Sequence, residues 1–152
     1  MSNVSSYNDA YPSCDRTHAA LRIYSGEMAP GEVSSRLNLE PTMMNLRGQE
    51  RVSLTTGRSR SLPLNAWFLS SETHVVSKDL RRHLDWVLDQ IEPAASSLRA
   101  LGNAPGVRIE VYCSWWSATG NGGPTLSPPQ LRRLADLGLE CVFEVMFFPD
   151  ED

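Results

Sequence analysis

The segment "VRIEVYCSWW" (residues 107–116) alternates between two kinds of side chain along its whole length. The odd-numbered positions are apolar and comprise Val107, Ile109, Val111, Cys113 and Trp115. The even-numbered positions carry charges, a hydroxyl or aromatic rings and comprise Arg108, Glu110, Tyr112, Ser114 and Trp116. A period of two residues is that of a β-strand with one face in the core. The segment therefore predicts a sheet that is covered on one face and open to water on the other.

Strand and helix patterns alternate along the rest of the chain. Strand patterns occupy residues 18–25, 65–71 and 139–148, and helical patterns occupy residues 29–41, 77–102 and 128–137. Pro93 is expected to kink or divide the long helix, and Ser77 is a candidate for its N-cap. The order β-α-β-α-β-α-β predicts an α+β fold, a two-layer sandwich of ferredoxin-like character with a mostly antiparallel sheet and helices on one face. Residues 42–64 show no firm period and predict a long loop with a ragged hairpin near residues 52–54.

Two short segments at predicted helix exits resemble each other. They are "RLNLE" (residues 36–40) and "DLGLE" (residues 136–140). The similarity indicates either a weak internal duplication of a strand–helix–strand unit or a chance match over five residues.

Length and composition predict one domain of an ordinary globular protein. We expect a single α+β domain over residues 17–149, an N-terminal arm over residues 1–16 and an acidic tail over residues 150–152. The net charge of −4 argues against nucleic acid as a partner. The chain has no apolar run long enough to span a bilayer, so no membrane association is expected. Its three cysteines have no CxxC spacing, which favours reduced thiols and a cytoplasmic location.

The motifs of catalysis and metal binding are missing from the sequence. No two of the three histidines have metal-ligand spacing, and no serine lies in a nucleophile elbow. The glycine-rich loop at residues 118–127 lacks both the lysine of a phosphate-binding loop and the spacing of a dinucleotide fingerprint. We therefore predict no catalytic residue, no cofactor and no metal, and we favour a non-enzymatic protein over an enzyme.

The same glycine loop has two interpretations. As a corner, it leads into a helix with Ser127 as N-cap, Pro128 as first residue and Gln130 closing a capping box. As a site, its amides and the helix N-terminus offer a lip for an anion or small ligand beside Trp116 and the loop of residues 42–64. The residues of that alternative site are Gly120, Gly122, Gly123, Thr125 and Ser127.

The water-facing side of the sheet is the stronger candidate for binding a partner. Tyrosine, tryptophan, methionine and arginine are enriched at the centres of protein interfaces. The alternative is a surface sheet stiffened by cross-strand pairs, with Arg22 and Arg108 neutralising Glu110 and Glu144, which could otherwise form an acid–base pair. The predicted partner-binding residues are Arg22, Tyr24, Arg108, Glu110, Tyr112, Trp116, Glu144 and Met146.

Several motifs together resemble a bacterial family of domains of unknown function, number four-two-seven-nine. They are "LNLEPT" (37–42), "AWFLSS" (66–71), "HLDWVLDQIEP" (83–93), "CSWWS" (113–117), "GGPTLSP" (122–128) and "LADLGLE" (134–140). The resemblance implies a small bacterial α+β protein that is often the only domain of its chain. It brings no established activity and no family site residues.

These observations lead to three functional hypotheses. The first is a non-enzymatic bacterial protein–protein interaction module, of the immunity type that neutralises a toxin; its acidic charge would speed association with a basic partner. The second is a small-ligand or anion-binding protein, with or without enzymatic activity, whose site is the Gly120–Gly123 corner. The third is a homo-oligomer in which the open sheet face pairs with itself.

Overall fold

A computed structural model describes residues 4–150 of the 152-residue chain. In this part of the chain the elements are β1 Cys14–Tyr24, α1 Pro30–Leu37, β2 Met43–Asn45, β3 Glu50–Val52, β4 Ser59–Ser61, β5 Ala66–Ser70, α2 Leu80–Ile91, α3 Ala95–Gly102, β6 Arg108–Ser117, α4 Pro128–Leu137 and β7 Glu140–Met146. A single 3-10 turn, Glu92–Ala94, joins α2 to α3. Pro93 thus divides the long helical pattern, as predicted. Of the predicted acidic tail, all but Asp150 lies outside the described residues.

The main sheet has five strands in the order β2-β5-β1-β6-β7. β1 pairs antiparallel with β5 and β6, β2 pairs antiparallel with β5, and β7 runs parallel to β6. This confirms an α+β fold with a mostly antiparallel sheet. The ferredoxin-like order is not confirmed, because strands joined through helices lie directly side by side, β5 antiparallel beside β1 and β7 parallel beside β6.

The helices pack on one face of this sheet, and the core lies between the two layers. Most odd-numbered residues of β1 and β6 are buried there, among them Leu21, Ile23 and Val111. Side chains from all four helices join the same cluster, because each helix has one apolar stripe to bury. The apolar positions of the alternating strand pattern therefore face the helices, as expected. The even-numbered positions form the opposite face of the sheet.

Three local boundaries differ from the predictions. β1 begins at Cys14, so residues 14–16 belong to the sheet and the arm ends earlier than expected; its early residues pair with the end of β6, Cys14 opposite Ser117. The segment of residues 42–64 contains β2 and a β3–β4 hairpin that forms a separate two-stranded sheet. The N-cap of α2 is Asp79, whose side chain accepts the Arg81 N–H. Ser77 accepts the Asp79 N–H instead.

The two similar segments form the same kind of helix end. Asn38 and Gly138 both adopt the left-handed conformation, with φ of 53° and 68°. In each case the next leucine donates its N–H back into the last turn, Leu39 to Ser34 and Leu139 to Leu134. This is a common C-terminal cap. The likeness does not extend to strand pairing, since β7 lies beside β6 whereas β5 separates β2 from β1.

Candidate functional site

The outer sheet face is defined here as the side of the five-stranded sheet opposite the helices. The register sets Arg22 opposite Glu110 and Tyr24 opposite Arg108 on β1 and β6. It also sets Trp116 beside Met146 on β6 and β7. Since side chains alternate along a strand, Tyr112 and Glu144 share this face. The structure thus brings all eight predicted partner-binding residues onto one surface.

Glu110 is the buried centre of this surface. Its side chain is 1% exposed and accepts hydrogen bonds from Arg22 Nη2 and Arg108 Nη2, each at 2.6 Å. Burial raises the pKa of Glu110, but the hydrogen bonds from the two guanidinium groups outweigh it and the net shift is downward. Glu110 therefore holds two arginines in place and does not itself face a partner. Glu144 lies elsewhere, where it accepts a hydrogen bond from the Tyr112 hydroxyl, so the two carboxylates form no acid–base pair.

Guanidinium groups and aromatic rings stack along the outer sheet face. The Arg22 guanidinium lies 4.0 Å from the centroid of the Tyr112 ring. Arg16 lies 4.1 Å from the Trp116 ring, and Arg108 lies 5.9 Å from the Tyr24 ring. Such cation–π contacts stabilise a surface by about 0.5–1 kcal/mol each. The row of side chains is consequently held in position before any partner arrives.

Three residues of this face were missing from the prediction: Arg16, His18 and Phe68. His18 lies between Tyr112 and Trp116, with ring centroids 6.2 and 5.9 Å away, and burial lowers its pKa. Phe68 meets Tyr24 edge to face. In the strand pattern "NAWFLSS", Phe68 follows the buried Trp67, so its side chain must point to the other face of the sheet. The sequence alone could therefore have predicted that Phe68 lies on the outer sheet face. Arg16 was not, because it fell in the predicted arm.

A hollow interrupts the outer sheet face above β1. Its volume is about 420 Å³ and its lining includes His18, Ala20, Arg22, Phe68 and Glu72. Ala20 has no side chain beyond Cβ, so the sheet is open at that point between larger neighbours. A concave spot bounded by aromatic and charged groups is the usual seat of an anchoring side chain in an interface.

The edge strand β7 carries an exposed apolar border on the side opposite the outer sheet face. β7 pairs with β6 on one side only, so its other backbone edge is free. On the helix side, Phe143 and Val145 are 42% and 56% exposed, and Phe147 follows at 46%. An unpaired edge with exposed apolar side chains is a site where proteins associate.

The glycine corner is occupied by the chain's own groups. The predicted capping box is present, with Ser127 and Gln130 bonded in both directions. The Gly120 N–H donates to Ser117 Oγ at 2.9 Å, and the Tyr11 hydroxyl donates to the Gly123 carbonyl at 2.7 Å. Ser127 Oγ accepts a hydrogen bond from Arg81, and Thr125 lies beside Tyr11.

Two other parts of the alternative site lie apart from each other. Trp116 pairs with Arg16 near the start of β1, whereas Asn45 pairs with Ala66, which lies opposite Tyr24 at the other end of β1. The segment of residues 42–64 therefore does not meet Trp116. The ligand lip remains an untested prediction that no contact in the structure favours.

Replacing Gly122 with alanine is expected to lower the free energy of unfolding by about 1–2 kcal/mol. Gly122 has a φ of 83°, and a Cβ there would lie 2.7 Å from Ser13 Oγ. Gly123 is the matched control, since a Cβ on it meets nothing within 4 Å. Urea denaturation of both variants measures the difference. Equal stability of the two would contradict this description of the corner.

A second polar cluster lies inside the protein, and sequence reasoning missed it. Arg81 and Asp79 form an ion pair with side chains 2% and 1% exposed. Arg81 also donates to the carbonyls of Ser5 and Ser6 and to Ser127 Oγ. It thereby ties the N-terminal arm to α2 and to the start of α4. Because these hydrogen bonds go to the protein's own groups, the cluster holds the fold together and presents no open site.

Ser71 and His83 have the geometry of a nucleophile and its base, but both residues are buried. Ser71 Oγ lies 2.7 Å from His83 Nδ1. A carbonyl only accepts, so His83 Nε2 carries the hydrogen that it donates to the Ser77 carbonyl at 2.8 Å. Nδ1 then accepts from Ser71, whose oxygen in turn accepts the Ala19 N–H. The pair connects β1, β5 and the approach to α2.

Acidification below pH 6.5 is expected to destabilise the fold through His83. Burial lowers the pKa of His83 in the folded protein, while the unfolded value is about 6.5. The unfolded chain therefore binds more protons, and the stability present above that pH is lost as pH falls below it. Replacing His83 with asparagine should flatten the pH dependence measured by urea denaturation, whereas replacing the exposed His74 should not. An unchanged pH dependence in the His83 variant would contradict the assignment.

Within residues 4–150, no three histidine, cysteine or carboxylate side chains are grouped as ligands of a metal ion. The helices of that same range are too short or too polar to cross a bilayer.

Comparison with known proteins gives one match. A family model described as "Domain of unknown function (DUF4279)" matches residues 15–147, which include every strand and helix of the main sheet and its helical layer apart from the first residue of β1. No curated protein and no solved structure matches the chain.

Proposed function

Because the chain belongs to the family of domains of unknown function DUF4279, and that membership assigns no activity, we propose a function from the outer sheet face. The protein is a non-enzymatic bacterial module that binds another protein through this face. Its partner is a basic protein, and the module acts in the manner of an immunity protein that occludes a toxin.

The observation that carries the proposal is the composition of a sheet face that no helix of residues 4–150 covers. Aromatic rings, the Arg22 guanidinium and the His18 imidazole form a continuous row from Tyr24 to Trp116. Tryptophan, tyrosine and arginine are the residue types on which binding energy concentrates in interfaces. Their mutual contacts reduce the ordering cost of association, since side chains already fixed lose little freedom on binding.

Charge supports a basic partner. Residues 46–61 contain four arginines and one glutamate, a net charge of +3. Since the whole chain carries −4, the remainder carries −7. This negatively charged remainder of the chain attracts a cationic protein at long range and raises its association rate. Salt reduces this effect. On the outer sheet face itself, the charges of Arg16, Arg22 and Arg108 are balanced by three carboxylates of β6 and β7, Glu110, Glu140 and Glu144, so the face carries no excess positive charge to repel that partner.

Binding to the product of the adjacent gene tests the proposal. Titration calorimetry with the purified pair should give a complex, and Trp116→Ala with Tyr112→Ala should weaken it by at least about 30-fold, as expected for interface hot spots. Trp86 is the matched control because it is a half-buried tryptophan on α2, stacked on His74, away from the outer sheet face. Trp86→Ala should leave the affinity within about threefold.

Two outcomes would overturn the proposal. One is the absence of a complex between the folded proteins. The other is a complex whose affinity falls in the Trp86 variant and stays unchanged in the outer-face variant. Protection of cells that express the toxic partner provides a second readout with the same variants.

A further inference from the structure

The β3–β4 hairpin gathers three arginines on one of its faces. The register sets Arg51 opposite Arg60, and the Ser53 N–H donates to the Arg58 carbonyl at 2.8 Å. Because side chains alternate along each strand, Arg51, Ser53, Arg58 and Arg60 point to the same side. We name this side the arginine face of the hairpin. Glu50 lies on the opposite side, where it accepts the Ser59 hydroxyl.

The arginine face has no counter-charge of its own. Like charges directly opposite each other on paired strands destabilise the pairing. Among the carboxylates of residues 4–150, none lies within 4.0 Å of the guanidinium nitrogens of Arg51, Arg58 or Arg60. Arg51 is held by Asn45 Oδ1 at 2.7 Å instead. In a chain with 18 acidic and 14 basic residues, three arginines left together on an exposed hairpin indicate that an external anion completes the cluster.

The shape of the arginine face suits carboxylate groups. A concavity of about 580 Å³ is lined by the three arginines together with Ser53 and Thr56, and by Val52 and Ser59 of the opposite side of the hairpin. The lining offers guanidinium and hydroxyl donors and contains no carboxylate. A guanidinium group binds a carboxylate through two parallel hydrogen bonds, which sets position as well as affinity.

The free edges of the hairpin favour an extended occupant. Among residues 4–150, β3 and β4 pair only with each other, and each leaves one edge of backbone groups without a neighbouring strand. An extended peptide can add to such an edge as a further strand. Its alternate side chains would then project over the arginine face, and acidic residues at every second position would meet the arginines.

We infer that the arginine face binds an acidic, extended segment of another protein, with aspartate or glutamate at alternate positions. A nucleic acid fits less well, because the rest of the chain carries −7 and would repel a long polyanion. The hairpin joins β2 near the Tyr24 end of β1, so this site is separate from Trp116 and independent of the proposed function.

Fluorescence anisotropy with three labelled probes tests the inference on the full chain. The probes are an eight-residue peptide of alternating aspartate and serine, its asparagine counterpart, and a single-stranded oligonucleotide of equal charge. The aspartate peptide should bind, and Arg58→Gln with Arg60→Gln should weaken it by at least about tenfold, as expected for the loss of charge-assisted hydrogen bonds.

Arg99 and Arg132 provide the matched control. Both are exposed, and Arg99→Gln with Arg132→Gln changes the net charge by the same amount, so affinity should fall by less than about twofold if location matters. All four arginines are exposed, so the folded state is expected to survive in both double variants. Trp116→Ala should leave peptide binding unchanged, which separates this site from the outer sheet face.

Three results would overturn the inference. The first is no binding of the aspartate peptide, or equal binding of the asparagine peptide. The second is an equal loss in the two double variants, which indicates attraction by net charge alone. The third is tighter binding of the oligonucleotide than of the peptide, which assigns the face to phosphates.

Discussion

Replacing Arg81 with methionine will lower the free energy of unfolding by about 3–5 kcal/mol, the usual cost of breaking a buried ion pair by removing one partner. Methionine fills a similar volume, so the effect isolates charge and hydrogen bonding. Asp79 would remain with a side chain 1% exposed and without its counter-ion. The Ser5 and Ser6 carbonyls would also lose their donor. Urea denaturation, monitored by tryptophan fluorescence, measures this change in the free energy of unfolding.

Two companion variants sharpen this test. Arg82→Met removes a neighbouring arginine whose pair with Asp9 is exposed, and should cost less than about 1 kcal/mol. Asp79→Asn combined with Arg81→Met removes both charges and keeps a capping side chain at the start of α2. The double variant should therefore be more stable than Arg81→Met alone. A loss below 1 kcal/mol in Arg81→Met would show that this pair does not organise the interior.

Replacing Glu110 with glutamine will lower the free energy of unfolding by about 2–3 kcal/mol. Glutamine has the same shape as glutamate, but its NH2 group would face one of the two guanidinium groups and could not accept a hydrogen bond from it. Without the carboxylate, the two guanidinium groups would also repel each other. The expected loss is smaller than for Arg81, because Arg22 and Arg108 are 25% and 67% exposed and can turn toward water. Glu144→Gln on the same face is the control. Glu144 is exposed, so its variant should change stability by less than about 0.5 kcal/mol.

The pH dependence of the Glu110 variant gives a second check. The pKa of Glu110 is lowered in the folded state because the two guanidinium groups outweigh burial. The folded protein therefore binds fewer protons, and the stabilisation is present above the ordinary glutamate pKa and lost as pH falls toward the lowered value. Glu110→Gln should lose less stability on acidification than the parent chain. An equal loss would contradict the ion-pair description.

The sequence was most informative where a signal is local. Alternation along residues 107–116 predicted β6 and the direction of each side chain, because strand geometry depends on adjacent residues. The bounds of α4 were also predicted, since Ser127, Pro128 and Gln130 form a cap within four positions. The pairing of Glu110 with arginines followed from the same alternation. Family membership, inferred from motifs such as "GGPTLSP", is confirmed over residues 15–147.

The remaining features depend on contacts that are distant in sequence. Strand order is set by which edges meet after folding, so the local pattern left the place of β5 and the parallel return of β7 undetermined. The ion pair of Asp79 and Arg81 is surrounded by Ser5, Ser6 and Ser127, and no spacing indicates that they meet. The arginine face arises from the register of a hairpin whose sequence has no clear period.

Hydroxyl-radical footprinting of the protein with and without its partner distinguishes the outer sheet face from the helical face, because it reports the exposure of individual side chains on each. We expect Tyr24, Tyr112, Trp116 and Met146 to become protected in the complex, while Trp86 on α2 and Leu131 on α4 react as in the free protein. Protection of Trp86 and Leu131, with the four outer-face residues unchanged, would contradict binding through the outer sheet face.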